Sequence, residues 1–315
     1  MQTTYLSTPD GQFSEIDEIC DGAWINLADP TSAEIESVSR QCGVDPDDLR
    51  AALDVEERSR ITAEDGYVLI LVDVPTTELR GGRSWYVTIP LGIVIASKVI
   101  ITICSQRVSV ITDFEAGRIR DLRTFMKTRF TLQLLLRNAG AYLAVLRQAD
   151  KMMDRQEIQL RQSTRNEELI EMFELEKSLV YVSTSLVSNQ RVLERLVRTP
   201  AVKKYPEDDD LLQDTIIENE QAMEMSGIYT GILSGTMDAY AAVIANNQNA
   251  IMKTLALITI VLSIPTMIFS AYGMNFSSLD GVPLSGPVWG FGAVIGISFA
   301  ISLIVTVIFV RKKWF

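Results

Sequence analysis

The sequence predicts an α/β domain in the cytosol that continues into a long-helix stalk and two C-terminal transmembrane helices. Strand-like and helix-like segments alternate over residues 1–112, and a proline-free stretch with helical apolar spacing follows. Residues 254–310 contain one charged side chain, Asp280, although 22% of the 315 residues are charged. This split excludes a purely soluble globular protein and a disordered chain. Because only one region is strongly apolar, it also excludes a transporter of ten or twelve spans.

The composition narrows the choice of partners and compartment. The net charge is −11 and histidine is absent, so a cationic partner suits the chain better than nucleic acid, which binds clustered Lys and Arg. Three separated cysteines (Cys20, Cys42 and Cys104) lack C-x-x-C spacing, which indicates reduced cytosolic thiols rather than a disulfide framework or a zinc knuckle. The first residues lack a basic region followed by an apolar run, so we expect no signal peptide and a cytosolic N-terminal part.

The N-terminal α/β domain, residues 1–112, is predicted from its strands and its helix starts. Asp-Pro pairs that begin at Asp29 and Asp45 are followed by cap residues or acids, and they predict the starts of two helices. Four segments have the β-branched and apolar composition of strands, namely 23–27, 67–72, 91–96 and 98–104.

The next region, residues 113–207, is predicted to form two or three long helices. Residues 113–199 contain no proline and show steady i, i+3 and i+4 apolar spacing, with a break near 163–166. Acids at 207–210 then predict the start of a stalk helix over residues 208–272. At 1.5 Å per residue this helix would be about 95 Å long, and we expect it to begin in the cytosol and end inside a membrane.

Two uncharged segments, 254–272 and 288–310, are long enough to cross ~30 Å of hydrocarbon. A short loop, 273–287, rich in Gly, Ser and Pro, joins them. Basic residues in the tail, 311–315, and at Lys253 place both termini in the cytosol and the loop outside. The alternative is a pair of buried core helices in a soluble protein, which the basic tail beside a long apolar run argues against.

One face of the first span is mostly small or hydroxyl-bearing, whereas the opposite face is mostly bulky and apolar. With its extension toward the N-terminus, the first face comprises Asp238, Ala245, Asn249, Met252, Ala256, Thr259, Ser263, Thr266, Ser270 and Gly273. We call it the stripe. A face of small and hydroxyl-bearing residues has two possible roles: it packs closely against another membrane helix, or it lines a pore. Since Gly292-x-x-x-Gly296 offers a packing face on the second span, the balance favours a pore.

Two spans cannot enclose a water-filled path, so a pore requires several copies around an axis. Cyclic symmetry would then turn each position of the stripe into a ring. Rings of hydroxyl and amide oxygens suit an ion that keeps its water, and Mg²⁺ dehydrates reluctantly. The residues thus predict a homo-oligomer in a lipid bilayer whose partners are divalent cations.

The first span closes with the run Tyr272-Gly273-Met274-Asn275-Phe276. This run resembles the Gly-Met-Asn signature of the CorA family of magnesium channels and transporters. The context is similar as well, because a second span and a basic end with Trp follow. Thinner similarity extends over residues 249–255, 24–27 and 52–58.

The resemblance implies a homopentameric funnel in the cytosol and an axial pore formed by the long helix. It implies that the signature is the ion-selectivity segment at the outer mouth, where Asn275 and Gly273 would offer oxygens to a hydrated ion beside Met274. The inner constriction would contain Asn249 and Met252, and the stripe residues between these two levels would line the pore.

The resemblance also implies a regulatory Mg²⁺ site between subunits. Asp214, near the start of the long helix, stands where such an acid is expected, and Glu78, in the loop after a strand ending near Val74, is a candidate partner. One departure from the family concerns residues 276–283, where many members carry Met-Pro-Glu-Leu and this chain has only Asp280 as an acid. That change affects how strongly the outer loop attracts cations.

The function expected from these features is passive uptake of hydrated Mg²⁺, with Co²⁺ or Ni²⁺ as further cargo, across the cell (inner) membrane. Cytosolic Mg²⁺ would gate the pore. The sequence lacks the phosphate-binding pattern G-x-x-x-x-G-K-[ST] and the nucleophile pattern G-x-S-x-G, so we expect neither ATP drive nor an enzyme. Two alternatives are a zinc or other transition-metal transporter of the same superfamily and a membrane-anchored sensor or scaffold.

Overall fold

The fold was analysed in a computed structural model that describes residues 1–162, 166–199, 202, 205–274, 283–284 and 288–312. For residues 159–162 and 166–168 only the backbone is described. Contacts divide the chain into two compact units, Met1–Met237 and Asp238–Phe315.

The first unit is built on a seven-stranded mixed sheet in the order β2-β1-β3-β7-β6-β5-β4. β3 pairs in parallel with β7, and all the other pairs of neighbouring strands are antiparallel. The strands are β1 (Gln2–Ser7), β2 (Phe13–Ile16), β3 (Trp24–Ala28), β4 (Arg60–Glu64), β5 (Tyr67–Arg80), β6 (Arg83–Ala96) and β7 (Ile100–Cys104).

Helices cover both faces of this sheet, because alternate strand residues point to opposite sides. On one face, α1 (Ser32–Cys42) and α2 (Pro46–Ala51) bury Ile35, Val38 and Leu49 against the strands. The other face packs against α3, α4 and α5, whose bounds are Ser109–Glu115, Lys127–Gln162 and Asn166–Arg198.

The two predicted helix starts are confirmed in detail. Thr31 caps α1 in a capping box with Glu34, in which each side chain accepts from the other residue's backbone N–H. The Asp45 side chain accepts from the Asp47 N–H at the start of α2, and Pro46 occupies the first turn. Short polar side chains just before the apolar face of each helix therefore set where α1 and α2 begin.

The four predicted strands are present as β3, β5, β6 and β7, but β5 and β6 are each 14 residues long. The two strands meet at Gly81 and Gly82, with φ of 59° and 79°. Left-handed values at both central residues characterise the tightest hairpin turns, which glycine adopts without strain. The Gly-Gly pair thus extends the hairpin through polar residues that the apolar pattern alone does not mark as strand.

Helix α6 runs from Asp209 to Tyr272, after a single 3₁₀ turn at Pro206–Asp208. In the second unit, its apolar portion is followed by α7, Gly290–Arg311. Both helices are long and apolar enough to cross a membrane. The predicted elements of the stalk and of the two spans therefore exist as helices.

Candidate ion pathway

The predicted stripe is exposed, as is most of the apolar portion of α6 in a single chain. Asp238, Asn249, Met252, Ala256, Thr259, Ser263, Thr266, Ser270 and Gly273 are all exposed. Between Met252 and Gly273 the buried and half-buried residues lie on the other side of the helix, at Leu257, Val261, Ile264, Pro265 and Ile268. Packing within the chain thus uses the bulky face and leaves the stripe free.

Three of the stripe hydroxyls donate their protons to the backbone of α6 itself. The Thr259 hydroxyl donates to the Leu255 carbonyl at 2.9 Å, Ser263 to Ile260 at 2.8 Å, and Thr266 to Leu262 at 3.0 Å. Each hydroxyl oxygen keeps a lone pair that can accept a further hydrogen bond. Water molecules bound to a cation point their hydrogens outward, so this surface offers acceptors to a hydrated cation.

The contact between α7 and α6 differs from the expected one. Gly292 and Gly296 are exposed, and a Cβ built on either glycine would meet no other atom within 4 Å. Inside the chain the packing face of α7 is instead the four-residue series Gly290, Val294, Ser298 and Ser302. Among these, the Ser302 hydroxyl lies 3.4 Å from the Val261 carbonyl oxygen. The glycine pair therefore makes no contact with α6 and remains open.

Two of the three signature residues are described. Gly273 closes the last turn of α6, since its N–H donates to the carbonyls of Phe269 at 2.9 Å and Ser270 at 3.2 Å. Met274 is 63% exposed. Asn275, and the departure at 276–282, lie outside the described residues. Next to the signature, the Tyr272 hydroxyl donates to the Pro283 carbonyl at 2.7 Å, which ties the end of the helix to the following segment.

The two candidate regulatory acids lie on different elements of the first unit. Glu78 belongs to β5 rather than to a loop, because the Gly81–Gly82 turn carries the strand to Arg80. Its carboxylate is 2.5 Å from the Arg80 guanidinium, and this hydrogen bond lowers the pKa of Glu78. Asp214 is exposed on α6. Within the described ranges, no group of three or more His, Cys, Asp or Glu could hold a metal ion in a single chain.

The family model described as "CorA-like Mg2+ transporter protein" matches residues 21–312 of this chain. The chain belongs to this family. This chain is similar to "Cobalt/magnesium transport protein CorA" of Methanocaldococcus jannaschii. The two are 28% identical over 300 residues, which cover 92% of this chain and 90% of that protein. The resemblance carried by the signature is thereby confirmed.

Solved structures agree with this membership. The structure titled "The complete structure of CorA magnesium transporter from Methanocaldococcus jannaschii" superposes with a TM-score of 0.84 at 25% identity, covering 100% of this chain and 99% of that one. The cytoplasmic domain of ZntB from Vibrio parahaemolyticus shares only the fold, with a TM-score of 0.59 at 10% identity over 78% of this chain and 97% of that one. The predicted fold class is confirmed, and the family is one of transporters, not enzymes.

Sequence reasoning missed the serines of α7. Pro265 within the helical pattern signals a carbonyl without a backbone donor at Val261, four residues earlier. Nothing in the sequence says which side chain on another helix faces that carbonyl, because the rotation of α7 about its axis is set by packing. The structure assigns Ser302 to that place.

Proposed function

We propose that this CorA-family chain conducts a hydrated divalent cation, Mg²⁺ foremost and Co²⁺ or Ni²⁺ with it, through a pore lined by the stripe of α6. The observation that carries the proposal is the open row of hydroxyl oxygens whose protons are bound to the helix backbone. Acceptors without net charge hold the water shell of a cation weakly enough for the ion to move on. The printed name of the M. jannaschii relative, a cobalt/magnesium transport protein, supports the same cargo.

The pore requires several copies of the chain, and the proposed assembly is a homopentamer with both termini in the cytosol of a cell (inner) membrane. Each stripe position becomes a ring, with Asn275 and Gly273 at the outer mouth and Asn249, Met252 and Asp238 toward the cytosol. A membrane potential that is negative inside favours entry by ~4.6 kcal/mol per 100 mV for a divalent ion, and no other energy source is needed.

Gating by cytosolic Mg²⁺ is the regulatory part of the proposal. Asp214 is exposed, as an acid that shares an ion with a neighbouring subunit has to be. Glu78 suits this role less, because its carboxylate already binds Arg80 at 2.5 Å. A metal ion at Glu78 would have to displace that guanidinium.

Zinc transport is the second candidate within the superfamily. Zinc sites favour imidazole and thiolate ligands, whereas the chain has no histidine and its cysteines, Cys20, Cys42 and Cys104, all precede the spans. The likeness to ZntB is a likeness of fold. Oxygen ligands alone therefore favour Mg²⁺ as the cargo.

Uptake of Mg²⁺ into proteoliposomes tests the proposal. The parent should admit Mg²⁺ when the interior is made negative, and Asn275→Ala should reduce the initial rate at least tenfold, because the ring at the outer mouth loses its amide oxygens. Asn247→Ala is the matched control, since Asn247 is an exposed amide on α6 away from the stripe, and it should leave the rate unchanged. Equal rates in the parent and Asn275→Ala would contradict the role of the signature.

A further inference from the structure

Pro265 leaves a gap in the backbone hydrogen bonding of α6. In an α-helix the carbonyl of residue 261 accepts from the N–H of residue 265, but a proline has no N–H. An unpaired carbonyl inside a bilayer cannot turn to water, so it needs another donor. In this structure the donor is the hydroxyl of Ser302 on α7, 3.4 Å from the Val261 carbonyl oxygen.

The adjacent carbonyl on the stripe side is bound differently. The Leu262 carbonyl accepts from the Thr266 hydroxyl at 3.0 Å, so it is served from within α6. At the proline, the Leu262 carbonyl is thus bonded within α6, whereas the Val261 carbonyl, which loses its N–H donor, bonds to α7.

The need for a small side chain against α6 does not explain the hydrogen bond of Ser302. Ser298 is a direct comparison, since it is a serine on the same face of α7. Ser298 lies one turn earlier on the same face of α7, is 0% exposed, and has no hydrogen-bond partner among the described residues. Both serines fill space against α6. Only Ser302, which is 8% exposed, meets the carbonyl that the proline leaves free.

We infer that Ser302 is a positioning residue of the ion pathway: its hydroxyl replaces the N–H that Pro265 lacks and thereby fixes the course of α6 at the proline. Ser263 and Thr266 lie on either side of Pro265, so a change in the bend there shifts the hydroxyl rings relative to one another. The 3.4 Å separation is longer than the 2.5–3.0 Å of ordinary O–H···O bonds, so the expected effect of losing this bond is small. This inference rests on the proposed function, in which α6 lines the pathway.

A double-mutant cycle tests the inference. Ser302→Ala should lower the maximal rate of Mg²⁺ uptake into proteoliposomes about threefold, the factor that corresponds to ~0.6 kcal/mol for an inter-helix hydrogen bond in a bilayer. The half-saturating Mg²⁺ concentration should stay unchanged, because Ser302 does not touch the ion. In a Pro265→Ala background, where residue 265 again donates an N–H to Val261, Ser302→Ala should have no effect on the rate.

Two further variants separate positioning from packing. Ser302→Thr keeps the hydroxyl and should retain the parent rate. Ser298→Ala removes a buried hydroxyl without a partner and should also leave the rate unchanged. An equal loss from Ser302→Ala in both backgrounds, an unchanged rate after Ser302→Ala, or an equal loss from Ser298→Ala would overturn the inference.

Thermal unfolding of the same variants in detergent provides a readout that does not depend on transport. The melting temperatures should show the same coupling between Ser302 and Pro265. If the parent takes up Mg²⁺ while both cycles are additive, the inference fails and the proposed function stands. If the parent takes up no Mg²⁺, the proposed function fails and the pathway role of Ser302 fails with it, even where the melting cycle shows coupling.

Discussion

The side-chain amide of Asn189 pairs with both backbone groups of Asp73. Its oxygen accepts from the Asp73 N–H at 2.9 Å, and its nitrogen donates to the Asp73 carbonyl at 2.8 Å. β4 pairs with β5 only as far as Leu71, so this edge of β5 lacks a neighbouring strand at residue 73. An amide on α5 therefore completes the sheet where the strand ladder stops.

Asn189→Asp should destabilise the protein, because a carboxylate cannot donate to the Asp73 carbonyl. The Asp73 carbonyl keeps the Asn138 side-chain amide as a donor at 2.8 Å, so we expect a loss of ~0.5–1.5 kcal/mol in the free energy of unfolding, the net contribution of one hydrogen bond. Thermal or urea unfolding of the full chain in detergent measures it. Asn246→Asp, at an exposed position on α6, is the control and should change little. A loss of equal size at both positions would show that added charge, and not the lost donor, is responsible.

Burial raises the pKa of the Asp73 carboxyl, although the Ser185 and Ser59 hydroxyls act in the opposite direction. A carboxyl whose pKa is higher in the folded state binds its proton more tightly there, so its contribution to stability falls as the pH rises from about 3.9 through the folded pKa. Asp73→Asn removes this titration. We expect the melting temperature of the variant to rise relative to that of the parent as the pH increases above about 4. A difference that does not change with pH would refute this account.

Gly92 lies where β6 meets α2 and β7. A Cβ added there would stand 2.7 Å from the Ala52 Cβ and 2.7 Å from the Ile103 Cγ2. Gly92→Ala should therefore cost ~1–3 kcal/mol through overpacking. Gly140→Ala is the matched control on α4, where a Cβ meets nothing within 4 Å, and it should stabilise the helix by ~0.5–1 kcal/mol. Urea unfolding of both variants compares them, and equal effects would contradict the close approach at Gly92.

Thr266→Val tests whether the stripe acts through its hydroxyl oxygens. The substitution keeps the shape of the side chain and removes every hydroxyl from the ring at position 266, while the other rings keep theirs, so the initial rate of Mg²⁺ uptake should fall several-fold. Thr306→Val on α7 is the control, because the Thr306 hydroxyl bonds its own helix in the same way, to Ser302 O at 2.8 Å, but lies outside the stripe. Equal losses in both variants would indicate a general effect of threonine on these helices.

Asp214→Asn tests the proposed gating. If cytosolic Mg²⁺ bound at Asp214 holds subunits together, the variant should be cleaved faster by protease in millimolar Mg²⁺ than the parent, and both should be cleaved alike after chelation. Asp210→Asn, in the first turn of α6, is the control and should keep the protection by Mg²⁺. Unchanged protection in Asp214→Asn would remove this carboxylate from the regulatory site.

The elements that local patterns specify were predictable, and the edges of the sheet were not. Thr31 and Asp45 marked helix starts because capping is a contact between residues close in sequence. β1 and β2 were missed, since Gln2–Ser7 is rich in polar residues and Phe13–Ile16 is four residues long. β4 was missed as well, because it begins with Arg60 and ends with Glu64. Such segments become strands through the partner beside them.

For the ion pathway, the sequence by itself determined the two spans, the stripe and the signature, because apolar length and helical periodicity are properties of consecutive residues. Only the tertiary structure decided which face of α7 meets α6 and that Ser302, not the Gly292 and Gly296 pair, makes that contact. The rotation of one helix against another depends on side chains far apart in the chain that fit together. No local pattern encodes that fit, and so the partner of the carbonyl freed by Pro265 appears only in the fold.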